Sequence, residues 1–168
     1  EIDGFTYLGG FEGNSYYVNN TVLSWEDANS LANSLGGYLL TITSEEEQEF
    51  ITSILGNNST IWNWSAYWIG LNDIDSEGNF VWSNGEESDW FNWNILDMFG
   101  NILENPEPND SSGEEDCIEI YYNEDLFALG FWNDDQCIIA DSNGFILEIE
   151  CSTGCSDSDE INLTFNPQ

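Results

Sequence analysis

Thirty-three Asp and Glu residues and no Lys, Arg or His make up the ionisable side chains that dominate this chain, so it must fold without one side-chain salt bridge or cation–π contact. Its carboxylates repel one another everywhere. A crowded or buried carboxylate must then be protonated, held by neutral hydrogen-bond donors, or met by a cation from solution. The same deficit excludes binding to nucleic-acid phosphates and disfavours insertion into anionic membranes. Partners are expected to be cations or neutral polar molecules, in a saline or calcium-rich exterior where salt limits the reach of repulsion to about 8 Å. Enzymatic chemistry is not expected. With His and Lys absent, proton transfer falls to carboxylates, Tyr or thiols, and carboxylates committed to a cation stay ionised.

Charge does not prevent a core. A chain of 168 residues with 40% hydrophobic and 15% aromatic content has the material for one globular domain. Residues 5–18 alternate aromatic and polar positions around glycines and read as a strand pair. Ser24 is placed to cap a helix whose buried stripe is Trp25, Ala28, Leu31, Ala32 and Leu35, with Glu26 and Asp27 at its positive end and Gly36-Gly37 as its stop. A second helix begins with Ser44 and Glu47 as a capping box, buries Phe50, Ile51, Ile54 and Leu55, and is expected to end at Gly56. Strand patterns follow at AYWIGL (66–71), NFVW (79–82), CIEIYY (117–122) and GFILEIE (144–150). The fold class is α+β, helices first.

The loops between these strands are long and rich in Asn, Asp, Gly and Pro, which suits segments organised by a bound ion. Between Glu107 and Cys137 the chain reads EPNDSSGEEDC and then WNDDQC. Glu107, Asn109, Glu115, Asn133 and Asp134 there supply only oxygen donors, the set that hard divalent ions prefer, and calcium is the expected counter-charge. An acidic cluster in so acidic a chain is more often a solvated face. The ordered company of Pro108, Cys117, Trp132 and Cys137 outweighs that reading. Asp73–Gly78 (DIDSEG) mimics an EF-hand loop but has Asn84 at the twelfth position and strand-like flanks, so the EF-hand reading fails.

Together with WEDANSLANSLGGYLL at 25–40 and WIGL at 68–71, these motifs resemble, in order, the calcium-dependent C-type lectin family over about residues 7–150. The resemblance implies a C-type lectin-like fold of two helices with small antiparallel sheets and a long calcium-organised loop region. The domain is expected over 1–150, with 151–168 as an acidic tail in which Ile161, Leu163 and Phe165 alternate like a strand. It implies Glu107, Asn109, Glu115, Asn133 and Asp134 as ligands of a first calcium, with Glu107-Pro108 in cis. Asp73, Glu77, Asp110 and Asp116 would form a second site, with Glu115 bridging toward the first. Glu107, Asn109, Glu115 and Asn133 would also face the sugar. The Glu-Pro-Asn order resembles that of members taking neutral sugars of the mannose, glucose, N-acetylglucosamine or fucose type through vicinal hydroxyls.

The resemblance also pairs Cys117 with Cys137, a closure contributing about 3 kcal/mol in the chain-entropy model. Ala32 and Leu147 stand where the family has its other bridge, and packing between them is the expected substitute. Cys151 and Cys155 remain, most simply as a local pair. Trp25, Trp68, Trp82 and Trp93 match structural positions, while Trp62, Trp64 and Trp90 are left undecided. Two stretches look longer than is usual in the family, 94–104 and 123–131. Their Met98, Phe99, Phe127 and Phe131 are expected to pack beneath loops rather than to wall a binding surface. Sequons begin at Asn19, Asn57, Asn58, Asn63, Asn109 and Asn162.

No run reaches the roughly 18 apolar residues of a membrane span, and the chain opens on Glu1 rather than Met, so a processed, secreted or cell-surface product, or an excised module, is expected. The competing reading is a structural subunit of an extracellular fibre or surface assembly, a homo-polymer, or a protein- or ice-binding scaffold, in which calcium only shapes the loops.

Overall fold

The computed structural model describes residues 2–57, 66–97, 99–111, 113–122, 129–138 and 144–151. Cys155, the tail strand at Ile161–Phe165, Trp62, Trp64, Met98, Phe127 and the sequons at Asn58, Asn63 and Asn162 lie outside them.

Helix α1 spans Trp25–Ser34. It starts where the extended Ser24 turns its hydroxyl oxygen to accept the Asp27 N–H at 3.1 Å, and Glu26 and Asp27 occupy the first turn. Helix α2 spans Glu45–Asn57, one residue past the glycine expected to end it. Ser44 Oγ accepts the Glu47 N–H at 3.2 Å, the first half of the capping box. The second half is made elsewhere. Glu47 is 7% exposed, and its carboxylate accepts from the Thr43 N–H at 3.1 Å and the Tyr16 hydroxyl at 2.8 Å. Burial against Tyr16 turns this side chain inward.

The strands are β1 Thr6–Phe11, β2 Asn14–Asn19, β3 Tyr38–Leu39, β4 Ala66–Asn72, β5 Val81–Trp82, β6 Cys117–Tyr121, β7 Trp132–Asp135 and β8 Gly144–Glu150. Of the NFVW run only its last two residues pair. All eight join one sheet of order β1-β2-β8-β4-β6-β7, with β3 added to β8 and β5 to β4. Most pairs are antiparallel; β4 and β8 run parallel where Tyr67 meets Gly144 and Trp68 meets Phe145, which fuses the small antiparallel units into a mixed sheet. The α+β class holds.

The pleat sorts side chains to two cores. Tyr67, Ile69 and Leu71 of β4 and Ile146 of β8 pack with Ile51 and Leu55 of α2, whereas Trp68, Phe145, Leu147 and Ile149 pack with Trp25, Ala28 and Ala32 of α1. Both faces are covered, which explains why β4 reads as a continuous apolar run. Ala32 and Leu147 are fully buried in the same cluster, so apolar packing fills the place of a second bridge. Cys117 and Cys137 are joined, with their Cα atoms 5.1 Å apart.

This register positions the loops. Asn72 at the end of β4 pairs with both Val81 and Cys117, while Cys117, Ile118 and Glu119 face Asp135, Asp134 and Asn133. Asp73 and Asp116, each one residue outside its strand, therefore meet, and the Asp73 N–H donates to the Asp116 carbonyl at 3.1 Å.

Candidate functional site

Of the five residues expected to bind the first calcium, Asn133 and Asp134 lie within β7, and Glu107, Asn109 and Glu115 lie on the loop before β6. Glu107-Pro108 is cis, and the Glu107 N–H donates to the Asn94 carbonyl at 3.0 Å. The Asn109 N–H reaches both carboxylate oxygens of Asp134, at 3.1 and 3.0 Å, and the Asp110 N–H reaches one of them at 2.7 Å. The Asn109 side-chain amide donates to the Glu107 carboxylate. Asn133 donates its amide to Glu119 at 3.0 Å, which leaves its carbonyl oxygen facing away from that bond. Glu115 is anchored at both oxygens, by the Ser111 N–H at 2.7 Å and the Ser111 hydroxyl at 2.8 Å.

Electrostatics record the crowding. Burial, then the neighbouring carboxylate of Asp134, push the Glu107 carboxyl up to about 8. Burial raises Asp135 as well, reinforced by Glu115 and Asp134.

The second set gathers on the adjoining loops. Asp73 is 2% exposed and accepts the Gly78 N–H at 2.7 Å through one oxygen. Burial raises its carboxyl, with Asp116 and Asp134 adding to the effect. Glu77 is raised by desolvation and by Asp73, Asp110, Asp116 and Asp134. The Glu115 N–H donates to Asp110 at 3.2 Å, which ties the two sets together. All nine residues thus share one end of the molecule. Among the described residues no three Asp or Glu side chains form a group already shaped to hold a cation.

The donors nevertheless fit a hard cation. Asn109 Oδ1 and Asp73 Oδ1 are buried oxygens without a hydrogen-bond partner, and a buried acceptor left unmade costs about 1–3 kcal/mol. One such atom belongs to each expected site.

Sequence reasoning missed Glu119. It is 6% exposed on β6 between Ile118 and Ile120, and it orients Asn133. Its signal was an acid in a strand whose neighbours are all apolar. The four tryptophans assigned to structure are buried or partly buried in the two cores, and Trp90 joins them, its ring 5.5 Å from that of Trp132 in an edge arrangement. Phe131 is half-buried, but Phe99 is 76% exposed, so the expectation that it packs beneath a loop is wrong. A short pairing of Leu96 with Ile102 and an Asp97 carboxylate that accepts the Phe99 and Asn101 N–H groups hold it outward. Asn19 is 6% exposed, donates to the Gly4 carbonyl and accepts from the Thr21 N–H, which makes its sequon a structural asparagine.

Residues 21–146 match the family model of the lectin C-type domain, three quarters of the chain. The chain belongs to the C-type lectin family. Lectin BRA-3 of Megabalanus rosa is 34% identical over 129 residues, which are 76% of this chain and 67% of that protein. The CD209 antigen of Homo sapiens is 32% identical over 159 residues, 94% of this chain and 33% of the relative. This chain therefore spans only a third of that relative's length. Among solved structures, the cow C-type carbohydrate-recognition domain of CD23, crystallised in the presence of a GlcNAc2Man3 oligosaccharide, superposes with a TM-score of 0.65 at 28% identity, covering 90% of this chain and 97% of that one. C-type lectins are carbohydrate-binding proteins rather than enzymes, typically secreted or displayed at cell surfaces. Among the described residues of this C-type lectin domain no helix is long and apolar enough to cross a membrane.

Proposed function

We propose that this domain binds neutral glycans of the mannose type in a calcium-dependent manner, at an extracellular location. The observation that carries the reading is the pair of buried, unpartnered oxygens, Asn109 Oδ1 and Asp73 Oδ1, in a chain with no side-chain cation to satisfy them. Glu107, Asn109, Glu115, Asn133 and Asp134 would hold one ion, and Asp73, Glu77, Asp110 and Asp116 a second. When bound, calcium supplies coordination positions that accept two vicinal sugar hydroxyls beside its protein ligands.

The chain's own residues divide the remaining work. Glu107 and Glu115 accept hydrogen bonds from sugar hydroxyls, and the amides of Asn109 and Asn133 donate to them. The order Glu107-Pro108-Asn109 sets an acceptor before a donor, and a swapped order would reverse the preferred hydroxyl layout. The oligosaccharide present with the related cow domain, which contains mannose and N-acetylglucosamine, supports the same sugar class.

A glycan array run in calcium and again in chelator tests the reading. Binding to mannose-type glycans is expected in calcium and loss of it in chelator, with a fall in melting temperature, because an ion bound only by the folded state stabilises it. Glycan binding that persists fully in chelator would overturn the mechanism.

A further inference from the structure

A second concave site lies away from the loops just described. The outward face of α2, with Trp90 and Asn92, lines an open cleft of about 380 Å³, a volume within the usual range for small-ligand sites. Its floor is built. Gln48, 5% exposed, donates to the Gly130 carbonyl and to Thr52 Oγ1, each at 2.9 Å, and accepts the Trp132 indole N–H at 2.9 Å. Asn92 donates to the same Gly130 carbonyl at 2.9 Å, which fixes the opposite wall. Gly130 has φ +82, and a Cβ there would collide with Thr52, so glycine lets the three segments close.

Trp90 supplies the aromatic wall, steadied against Trp132, while Glu45 and Glu49, one helical turn apart and both exposed, stand at the rim. Two acids on a helix are ordinarily a solvated face. Here they border an open cleft walled by an indole, in a molecule of net charge −33 that has no base to offer them.

We propose that this cleft receives the guanidinium or ammonium group of an Arg or Lys side chain from a basic polypeptide partner. The indole face attracts a cation through its quadrupole, the two carboxylates neutralise it, and Asn92 and the hydroxyls of Thr52 and Ser53 are within the lining to accept its N–H groups. A neutral sugar would leave both acids uncompensated. The long-range field of an all-acidic chain would draw such a partner to the molecule, and the cleft would then select it. The site is independent of the glycan reading.

The test uses the whole chain in saturating calcium at physiological salt, titrated with N-acetyl-arginine amide and, separately, with its neutral isostere N-acetyl-citrulline amide, while the indole N–H resonances are followed by NMR. Saturable shifts at Trp90 with the arginine compound and none with citrulline are expected. The double variant Glu45→Gln/Glu49→Gln, exposed and so expected to fold, should weaken binding by about ten-fold. The charge-matched Glu26→Gln/Asp27→Asn on α1 should weaken it by less than about two-fold. Equal binding of citrulline, equal loss in the two double variants, or no shift at Trp90 would each overturn the proposal. The first outcome marks a neutral-ligand site, and the second marks diffuse attraction to the acidic surface.

Discussion

The backbone N–H of Asn109 and the carboxylate of Asp134 are joined at 3.1 and 3.0 Å, so that one acid on β7 holds the Glu-Pro-Asn loop to the sheet. The same carboxylate accepts the Asp110 N–H at 2.7 Å. Without it, Asn109 and Asp110 lose the side-chain bonds that tie their backbone to the strand. In Asp134→Ala, measured in chelator so that metal plays no part, amide hydrogen exchange at Asn109 and Asp110 should accelerate by about ten-fold or more. Unchanged protection of both amides would mean that the loop is held by something else.

The two groups of expected ligands should separate by mutation. Asn109→Asp exchanges the donor amide for an acid beside Glu107, and it should abolish or redirect sugar binding while the melting temperature in calcium moves little. Asp73→Ala removes a buried side chain that ties Gly78 to the end of β4, and its main effect should be a lower melting temperature and looser loops around 73–78. Glycan titration and calorimetry on both variants check this; equal effects of both on both assays would contradict a division into two sites.

Glu148 makes a prediction about pH that involves no metal ligand. It is 2% exposed on β8 and accepts from the Thr41 N–H at 2.9 Å, the Asn14 amide at 2.7 Å and the Tyr38 hydroxyl at 3.4 Å. Burial, opposed by the Thr41 hydrogen bond and reinforced by Glu47 and Glu86, pushes its carboxyl from 4.5 up to about 8. Glu47 is raised too, chiefly by burial. Over that interval the folded chain keeps a proton that the unfolded chain has released, so the stability that Glu148 contributes is full below about 4.5 and is lost as pH rises toward 8. In chelator, the melting temperature should therefore be higher at pH 5 than at pH 8. Glu148→Gln keeps an acceptor for Thr41 and should make this slope shallower, leaving the share that the raised Glu107 carboxyl supplies; an unchanged slope would remove Glu148 as a source.

Leu147 and Ala32 share one fully buried cluster between β8 and α1. Leu147→Ala should cost about 2–5 kcal/mol by denaturant unfolding, the range for a large-to-small change in a core that relaxes only partly. A cost below about 1 kcal/mol would show that this corner of the molecule repacks freely.

Much of the architecture was legible in local chemistry. Ser24 and Ser44 cap helices because a short hydroxyl side chain satisfies a first-turn N–H, and that preference is written in a few adjacent residues. The C-type lectin motifs were legible for the same reason, since Glu107 to Asn109 and Trp132 to Cys137 are short and ordered. What local reading misjudged was the destination of individual side chains. Glu47 fitted a capping box but turned to Tyr16 and Thr43. Phe99 looked like core and stands in solvent, because Asp97 and the Leu96–Ile102 pairing hold its turn outward. Glu119 and Glu148 interrupt apolar strands, and only the packing of the other face reveals that they are buried.

By itself the sequence determined the class of the molecule: an acidic α+β lectin domain whose oxygen donors have no internal cation, since composition and motif order depend on no contact at a distance. The tertiary structure decided which donors are spent and which stay open. Pairing Cys117 with Asp135 and Glu119 with Asn133 in one register brings Asp73, Asp116 and the Glu107–Asp110 loop to the same end of the sheet. It also closes the cleft beside Trp90, where α2 meets a segment some forty residues later in the chain. Which oxygen accepts a bond and which is left buried without one depends on side chains far apart in sequence, and only close packing sets those distances.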